Sequence, residues 1–413
     1  MNFQRAICLV AFSISCFFSG ATSTCAATED MAGVWQASLV IPSDTDEQLV
    51  VSFGLELTQS GSDWRGTVFN GEERIEIPSV TKEVDEYEIN FTHYDSVITF
   101  DYDSEQDELR GNWKKRRGLD RWAEMEFFAV RQAVQGTEDP SPFAGRWAVD
   151  FESSSDPAVG IFSAAENGTG VRGTFMTTTG DYRFLAGRVD NGRMELCCFD
   201  GAHAFRFEAT ATDDGKLEGH FWSSDSWHET WTAERNEDAV LPDAFEQTSA
   251  TGRELGDYLY RDLDGYLTSI NDSKFAGKVR LIYVFGSWCP NCHDAAVYFS
   301  ELEEKYGERG LSILGLAFEH SGNRERDAKQ VRLYLERNNA SYPVLLAGSS
   351  DKAEASRAFS LIDRVRSYPT TLFIDDAGKI QAIHTGFTGP ATGEAYDELK
   401  SKFEELIESM LEN

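Results

Sequence analysis

The chain has 413 residues, with 70 acidic against 38 basic side chains and a formal net charge of −32 at pH 7. That balance argues against nucleic acid as a partner, because phosphate binding needs a concentrated positive field, and it suits solubility in a salty or extracellular medium. A hydrophobic fraction of 41% and an aromatic fraction of 12% exclude a disordered chain and allow two or three separate cores.

Residues 1–27 read as an export signal. Arg5 supplies the positive start, residues 6–18 are apolar, and small residues follow, with cleavage near Ala21 or Ala27. The apolar stretch is too short for a spanning helix, which needs about 20 residues. The chain is therefore expected in the periplasm or cell envelope, touching the membrane only if Cys16 or Cys25 carries a lipid. Beyond the signal stand two close cysteine pairs, Cys197–Cys198 and Cys289–Cys292. They are too few for a scaffold built on disulfides.

From residue 33 to about 235 short alternating or aromatic-rich stretches, such as 49–57, 97–102 and 205–209, are separated by Gly, Asn and Asp turns. The region contains itself twice. Gly33-Val34-Trp35 returns as Gly145-Arg146-Trp147, Arg65-Gly66-Thr67 as Arg172-Gly173-Thr174, and Leu109-Arg110-Gly111 as Leu217-Glu218-Gly219. Two similar antiparallel β modules are predicted, over 30–133 and 142–238, each a small barrel or sandwich, with a single fused barrel as the alternative. The Gly/Pro-rich stretch 136–142 would join them. Lys114-Lys115-Arg116-Arg117, with Arg121, reads as a charged hairpin tip or else an anion or partner contact. Cys197 and Cys198 should point to opposite faces of one strand. Eight of the nine tryptophans precede residue 235; an exposed set would bind a ligand such as a glycan or peptide.

After a linker at 239–253 the pattern changes, and a third domain is predicted over 254–413. Residues 281–285 form a short apolar strand, followed by a helical segment to about 306. A strand at 311–318, a helix at 325–337, a strand at 342–346 and a short helix at 351–359 come next. A hairpin of 370–375 and 379–384 and an amphipathic helix at 394–411 close the chain. Strands alternating with helices imply an α/β fold with a mainly parallel sheet and an antiparallel edge.

The chemistry lies at Cys289-Pro290-Asn291-Cys292. Disulfide exchange needs a thiolate that attacks and a second thiol near enough to release the mixed disulfide. Pro290 fits the first helical position, where its missing N–H costs nothing. Cys289 then sits at the helix start, where free N–H groups and the dipole favour a thiolate, and Cys292 lies one turn further in as the resolving thiol. Other readings stay open. A structural zinc site would want a second ligand pair, so no metal is expected. A static disulfide is possible in principle. Cys289 to His293 also spells C-x-x-C-H, the attachment pattern of c-type haem, with His293 otherwise facing solvent on the first helical turn.

Residues 255–411 resemble the TlpA/ResA-like branch of the thioredoxin superfamily. The likeness rests on the 278–292 strand-to-cysteine segment, on Tyr368-Pro369-Thr370-Thr371-Leu372-Phe373-Ile374-Asp375 followed by Gly378-Lys379, and on the hairpin-like 260–265. It implies a thioredoxin-like fold and a protein-disulfide oxidoreductase, with reduction favoured, including reduction of apocytochrome cysteines before haem attachment. It implies a cis Pro369, a substrate surface of Trp288, Pro290 and Tyr368, and a glutamate, Glu319, near the active site to tune thiols or move a proton. One departure stands out: Tyr283 occupies the place where thioredoxin itself has a buried aspartate. Expected partners are exported protein disulfides or dithiols and a membrane electron donor, with no cofactor. The alternative is a ligand-binding or redox-sensing protein in which the β modules do the main work.

Overall fold

Burial alternates residue by residue in strands such as Val50–Ser60, Asp63–Asn70, Trp122–Val130 and Trp227–Arg235, while Arg193–Phe199 and Ala204–Ala211 are buried almost throughout. Each half of the region before residue 235 closes into a barrel. The computed structural model describes residues 31–412 except 44–47, 84–85, 132–137, 166–167 and 169. The signal with Cys16 and Cys25, and the start of the 136–142 joint, lie outside the described residues. In the first barrel Gly33–Val40, Val50–Ser60, Asp63–Asn70, Ser79–Glu83, Glu86–Phe91, Ser96–Asp103, Glu108–Arg116 and Trp122–Val130 pair antiparallel in sequence, and the last returns to the first. The second barrel, from Gly145–Phe151 to Trp227–Arg235, repeats the same strand order. Closure pairs the eight main strands of each barrel on both sides.

Each barrel carries one short excursion after its third strand: Glu73–Glu76 in the first and Gly180–Asp181 in the second. The recurring first triplet has a local cause. Gly33 and Gly145 take φ of 127° and 123°, a region that favours glycine. A Cβ on either would lie within 2.5 Å of a guanidinium, Arg131 or Arg235. Those arginines stack on Trp35 at 3.9 Å and on Trp147 at 4.4 Å.

The barrel interiors are filled with side chains. In the second, Phe207 stacks between Phe175 at 4.4 Å and Phe221 at 4.3 Å, with Trp231 edge-on to Phe175. Trp35, Trp113, Trp147 and Trp231 are core residues, and the exposed Trp122 and Trp227 stand apart from them. Cys198 belongs to the second core, while Cys197 points outward against the first barrel, its sulfur 3.8 Å from the Val50 carbonyl. Burial pushes both thiols up, and both are free.

The basic run is not a simple solvated tip. Lys114 is exposed and pairs with Glu124 at 3.1 Å. Lys115 turns to the face of Leu109 and Trp113, is buried, and donates to the Ala202 carbonyl of the second barrel at 2.8 Å. Arg117 reaches Asp225 of that barrel at 2.8 Å. The run therefore joins the two barrels.

The third layer is a seven-stranded sheet. Its central strand Val279–Phe285 is buried along its whole length, parallel to Leu311–Glu319 and antiparallel to Thr370–Asp375. Val344–Ser349 extends it on one side and Ile380–Thr385 on the other, with Leu259–Asp262 and Leu267–Ser269 at the far edge. Helices Pro290–Tyr306, Arg324–Arg337, Lys352–Ala358 and Glu394–Glu412 cover it. The stretch expected as a linker lies against this layer: Thr251 N–H donates to the Leu361 carbonyl at 3.0 Å, and the Thr248 and Thr385 hydroxyls meet at 2.7 Å. Barrels and third layer belong to one compact unit. Yet the large apolar cluster of the third layer and that of the second barrel share no residue.

Candidate active site

The central strand, buried along its length, runs straight into the redox turn at Gly286. Cys289 is the N-cap of helix Pro290–Tyr306, with Pro290 in its first turn. Its sulfur donates to the Tyr368 carbonyl at 3.4 Å, and the following Tyr368–Pro369 bond is cis. Cys292, one turn in, is fully buried. Burial, reinforced by the neighbouring Cys289, holds its thiol well above the ordinary range. The pair is a dithiol. A C-x-x-C at a helix start beside a cis-proline loop suits thiol exchange, with the attacker at the helix N-terminus and the resolver one turn deeper.

Beneath the pair, the departure at Tyr283 is resolved by hydrogen bonding. The Tyr283 and Tyr334 hydroxyls both donate to the Cys292 carbonyl, at 2.6 and 2.7 Å, and lie 2.9 Å from each other. Phenols here brace the helix start; they do not offer a carboxylate base. Glu319 ends the neighbouring strand and is 4% exposed. It accepts from the Ser287 N–H at 2.8 Å and the Ser287 hydroxyl at 2.7 Å, so it grips the turn two residues before Cys289. Burial pushes its pKa up to about 8, against the opposing pull of those two bonds.

His293 corrects the expectation of a solvent-facing side chain. It is buried: its Nε2 lies 2.9 Å from the Ser287 carbonyl, and its Nδ1 lies 2.8 Å from the Asn338 amide nitrogen. That pattern fixes a neutral ring with the proton on Nε2, and burial lowers its pKa to about 4. Both ring nitrogens are thus engaged in holding the redox turn, which does not fit a histidine presented as an iron ligand. Trp288 donates to the Phe318 carbonyl at 2.9 Å, stacks on His320 at 4.4 Å and meets Tyr368 edge-on at 5.4 Å.

Several groups around the dithiol come from the barrels. Asn291 donates to the Asp181 carboxylate at 3.2 Å, and Asp181 also accepts from the Gly389 N–H at 2.6 Å. Ser367, next to Tyr368, donates to the Thr179 carbonyl at 2.6 Å. Arg183, buried, reaches Glu73 of the first barrel at 2.8 Å, Asp200 of the second at 3.7 Å, and Asp294 of the redox helix. Burial raises Glu73 and Asp294 despite the guanidinium, and lifts Asp181 to about 6. Burial would raise Asp200 too, but His203 and Arg183 hold it below the carboxylate range. His93 and Tyr94 of the first barrel pack on the His293 ring, at 5.3 and 4.7 Å.

The structure therefore gathers Cys289, Cys292, Trp288, Pro290, Tyr368 and Pro369 at one place, and ties Glu319 to them through Ser287. Sequence reasoning missed Ser287, Asp181, Arg183 and Tyr94. Only Ser287, in the turn itself, had a positional signal.

This fold and site define a thioredoxin-type dithiol domain. The Redoxin family profile matches residues 242–399. The thioredoxin-like protein YneN of Bacillus subtilis (strain 168) is 29% identical over 135 residues, 33% of this chain and 71% of that protein. The thiol-disulfide oxidoreductase ResA of Halalkalibacterium halodurans is 25% identical over 137 residues, 33% of this chain and 68% of that protein. A thiol:disulfide interchange protein of the thioredoxin family from Chlorobium tepidum TLS superposes with TM-score 0.28 at 22% identity, covering 37% of this chain and 92% of that one. The C-terminal third of the chain belongs to the TlpA/ResA-like branch of the thioredoxin superfamily, the thiol–disulfide oxidoreductases.

Proposed function

We propose that the chain exchanges dithiol for disulfide with exported proteins through Cys289 and Cys292, working as a reductase in the periplasm or cell envelope. The observation that carries this reading is the geometry of the pair: Cys289 caps the helix against the Tyr368 carbonyl, and Cys292 is sealed beneath it. The Cys289 thiolate attacks one sulfur of a substrate disulfide; that S–S bond breaks, and the other sulfur leaves as a thiolate and takes a proton. Cys292 then loses its proton and attacks the Cys289 sulfur. The mixed disulfide breaks, the substrate leaves as a dithiol, and a Cys289–Cys292 disulfide remains. Two electrons have passed to the substrate, and a membrane dithiol donor returns them with two protons. Glu319 holds the turn through Ser287 and, protonated near neutral pH, supplies or takes up a proton there. The export pattern of residues 1–27 supports the location.

The test uses the reduced full chain and the small substrate hydroxyethyl disulfide. Wild type should reduce it, Cys289→Ser should be inactive, and Cys292→Ser should stop as an adduct on Cys289 visible by mass. Equal turnover by wild type and Cys289→Ser would end the reading. A pair potential near thioredoxin's, about −270 mV, supports the reducing direction, and one near about −120 mV opposes it.

A further inference from the structure

Cys289 lies beside Asn291, the Ser367–Pro369 segment and, through the Gly386 N–H on the Pro369 carbonyl, the Gly386–Gly389 loop. In this structure a piece of the second barrel already lies there. The Thr179 carbonyl takes the Ser367 hydroxyl, Asp181 takes both Asn291 and the Gly389 N–H, and Gly180 packs against the Asn291 side chain. The fit is close: a Cβ on Gly386 would fall 2.9 Å from the Thr179 backbone. Two residues on, Arg183 ties the segment to Asp294 of the redox helix and to Glu73 of the first barrel. Arg366 adds a pair with Asp156. Cys289 is left 7% exposed.

Hydrogen bonds and ion pairs hold this cover down. The apolar contact between the second barrel and the C-terminal part of the chain is small: Val159 and Met176 with Ala239, Leu241 and Ala395, beside the connection to the third layer. Apart from the His93 and Tyr94 rings of the first barrel on His293, these faces are polar and their cores separate, the kind that move as bodies.

We infer that residues 179–181 of the second barrel are a built-in cover of the dithiol site, latched by Arg183 on Asp294 and Glu73, which excludes protein disulfides until the barrels swing away. The inference rests on the dithiol function proposed above and adds its regulation. In the closed form small disulfides still reach Cys289, and folded or extended protein substrates do not.

Two measurements on the full chain test it. Asp181→Lys replaces the shared acceptor with a cation facing the Asn291 and Gly389 donors. It should raise the ratio of insulin reduction to hydroxyethyl disulfide reduction, measured on the same protein, about tenfold, as expected when the competent fraction rises tenfold. An equal ratio in wild type and variant, with small-disulfide activity intact in both, overturns the cover. Failure of both proteins with the small disulfide would instead sink the proposed function. The second measurement needs no variant. Labelling of Cys289 in reduced wild type, followed by peptide mass mapping, is compared for N-ethylmaleimide and a polyethylene-glycol maleimide. The large reagent should lag the small one at least about tenfold more in the native chain than in urea. The same ratio in both states overturns the proposal.

Discussion

Replacing Glu319 by glutamine tests whether the carboxyl under the redox turn is held protonated at neutral pH. In the folded chain its pKa stands at about 8 through burial, against an ordinary value of 4.5. Between those values the folded protein keeps a proton that the unfolded chain has released, so folding binds the proton. The stability this group contributes is then fully present below about pH 4.5 and is lost as pH rises through about 8. From about pH 5 to pH 8, at 1.36 kcal/mol per unit, the loss amounts to about 4 kcal/mol at most. Glutamine keeps the shape and still accepts from the Ser287 N–H, but it has no proton to lose. Hydrogen exchange of the Leu311–Glu319 strand, variant against wild type at matched pH, reads the difference. The variant should gain on wild type by about 2–4 kcal/mol between pH 5 and pH 8.5. An infrared carbonyl band of a protonated acid, present in wild type at pH 7 and absent in the variant, should accompany it. If the two proteins differ by the same amount at both pH values, Glu319 is ionised throughout and the reasoning fails.

Tyr283→Phe should lower stability by about 1 kcal/mol, because Tyr334 still serves the Cys292 carbonyl. Adding Tyr334→Phe should cost more than the sum of the two single changes, since the buried carbonyl then loses both phenolic donors; thermal unfolding of the four proteins gives the coupling. Phe207→Ala, which opens a void between Phe175 and Phe221, should destabilise the second barrel by about 3–5 kcal/mol in calorimetry.

The parts of this molecule that were legible beforehand are those written locally. Alternation over two residues marked the barrel strands, and Gly33 and Gly145 repeat because each begins a strand beneath a stacked tryptophan and arginine. The apolar run before Cys289 followed from a short motif, and the cis bond after Tyr368 from the family resemblance. His293 and Lys115 were misjudged for related reasons. A histidine on a first helical turn and a lysine within four cations both look solvated, yet each lies on the inward side of its element and has a fixed partner there. Arg183 left no trace. Its partners Glu73 and Asp294 lie more than a hundred positions away, and no local pattern says that an arginine in a barrel turn will meet a redox helix.

The excursions after the third strand of each barrel have a consequence of their own. Two identical copies placed face to face would bring equal charges together at that point. Here one copy presents Glu-Arg-Ile-Glu, from Glu73, and the other Gly-Asp-Tyr-Arg, ending at Arg183, and Arg183 meets Glu73. The repeated module is thus an asymmetric couple, and at this turn, as at Lys115 on Ala202 and Arg117 on Asp225, the halves meet through a difference between them.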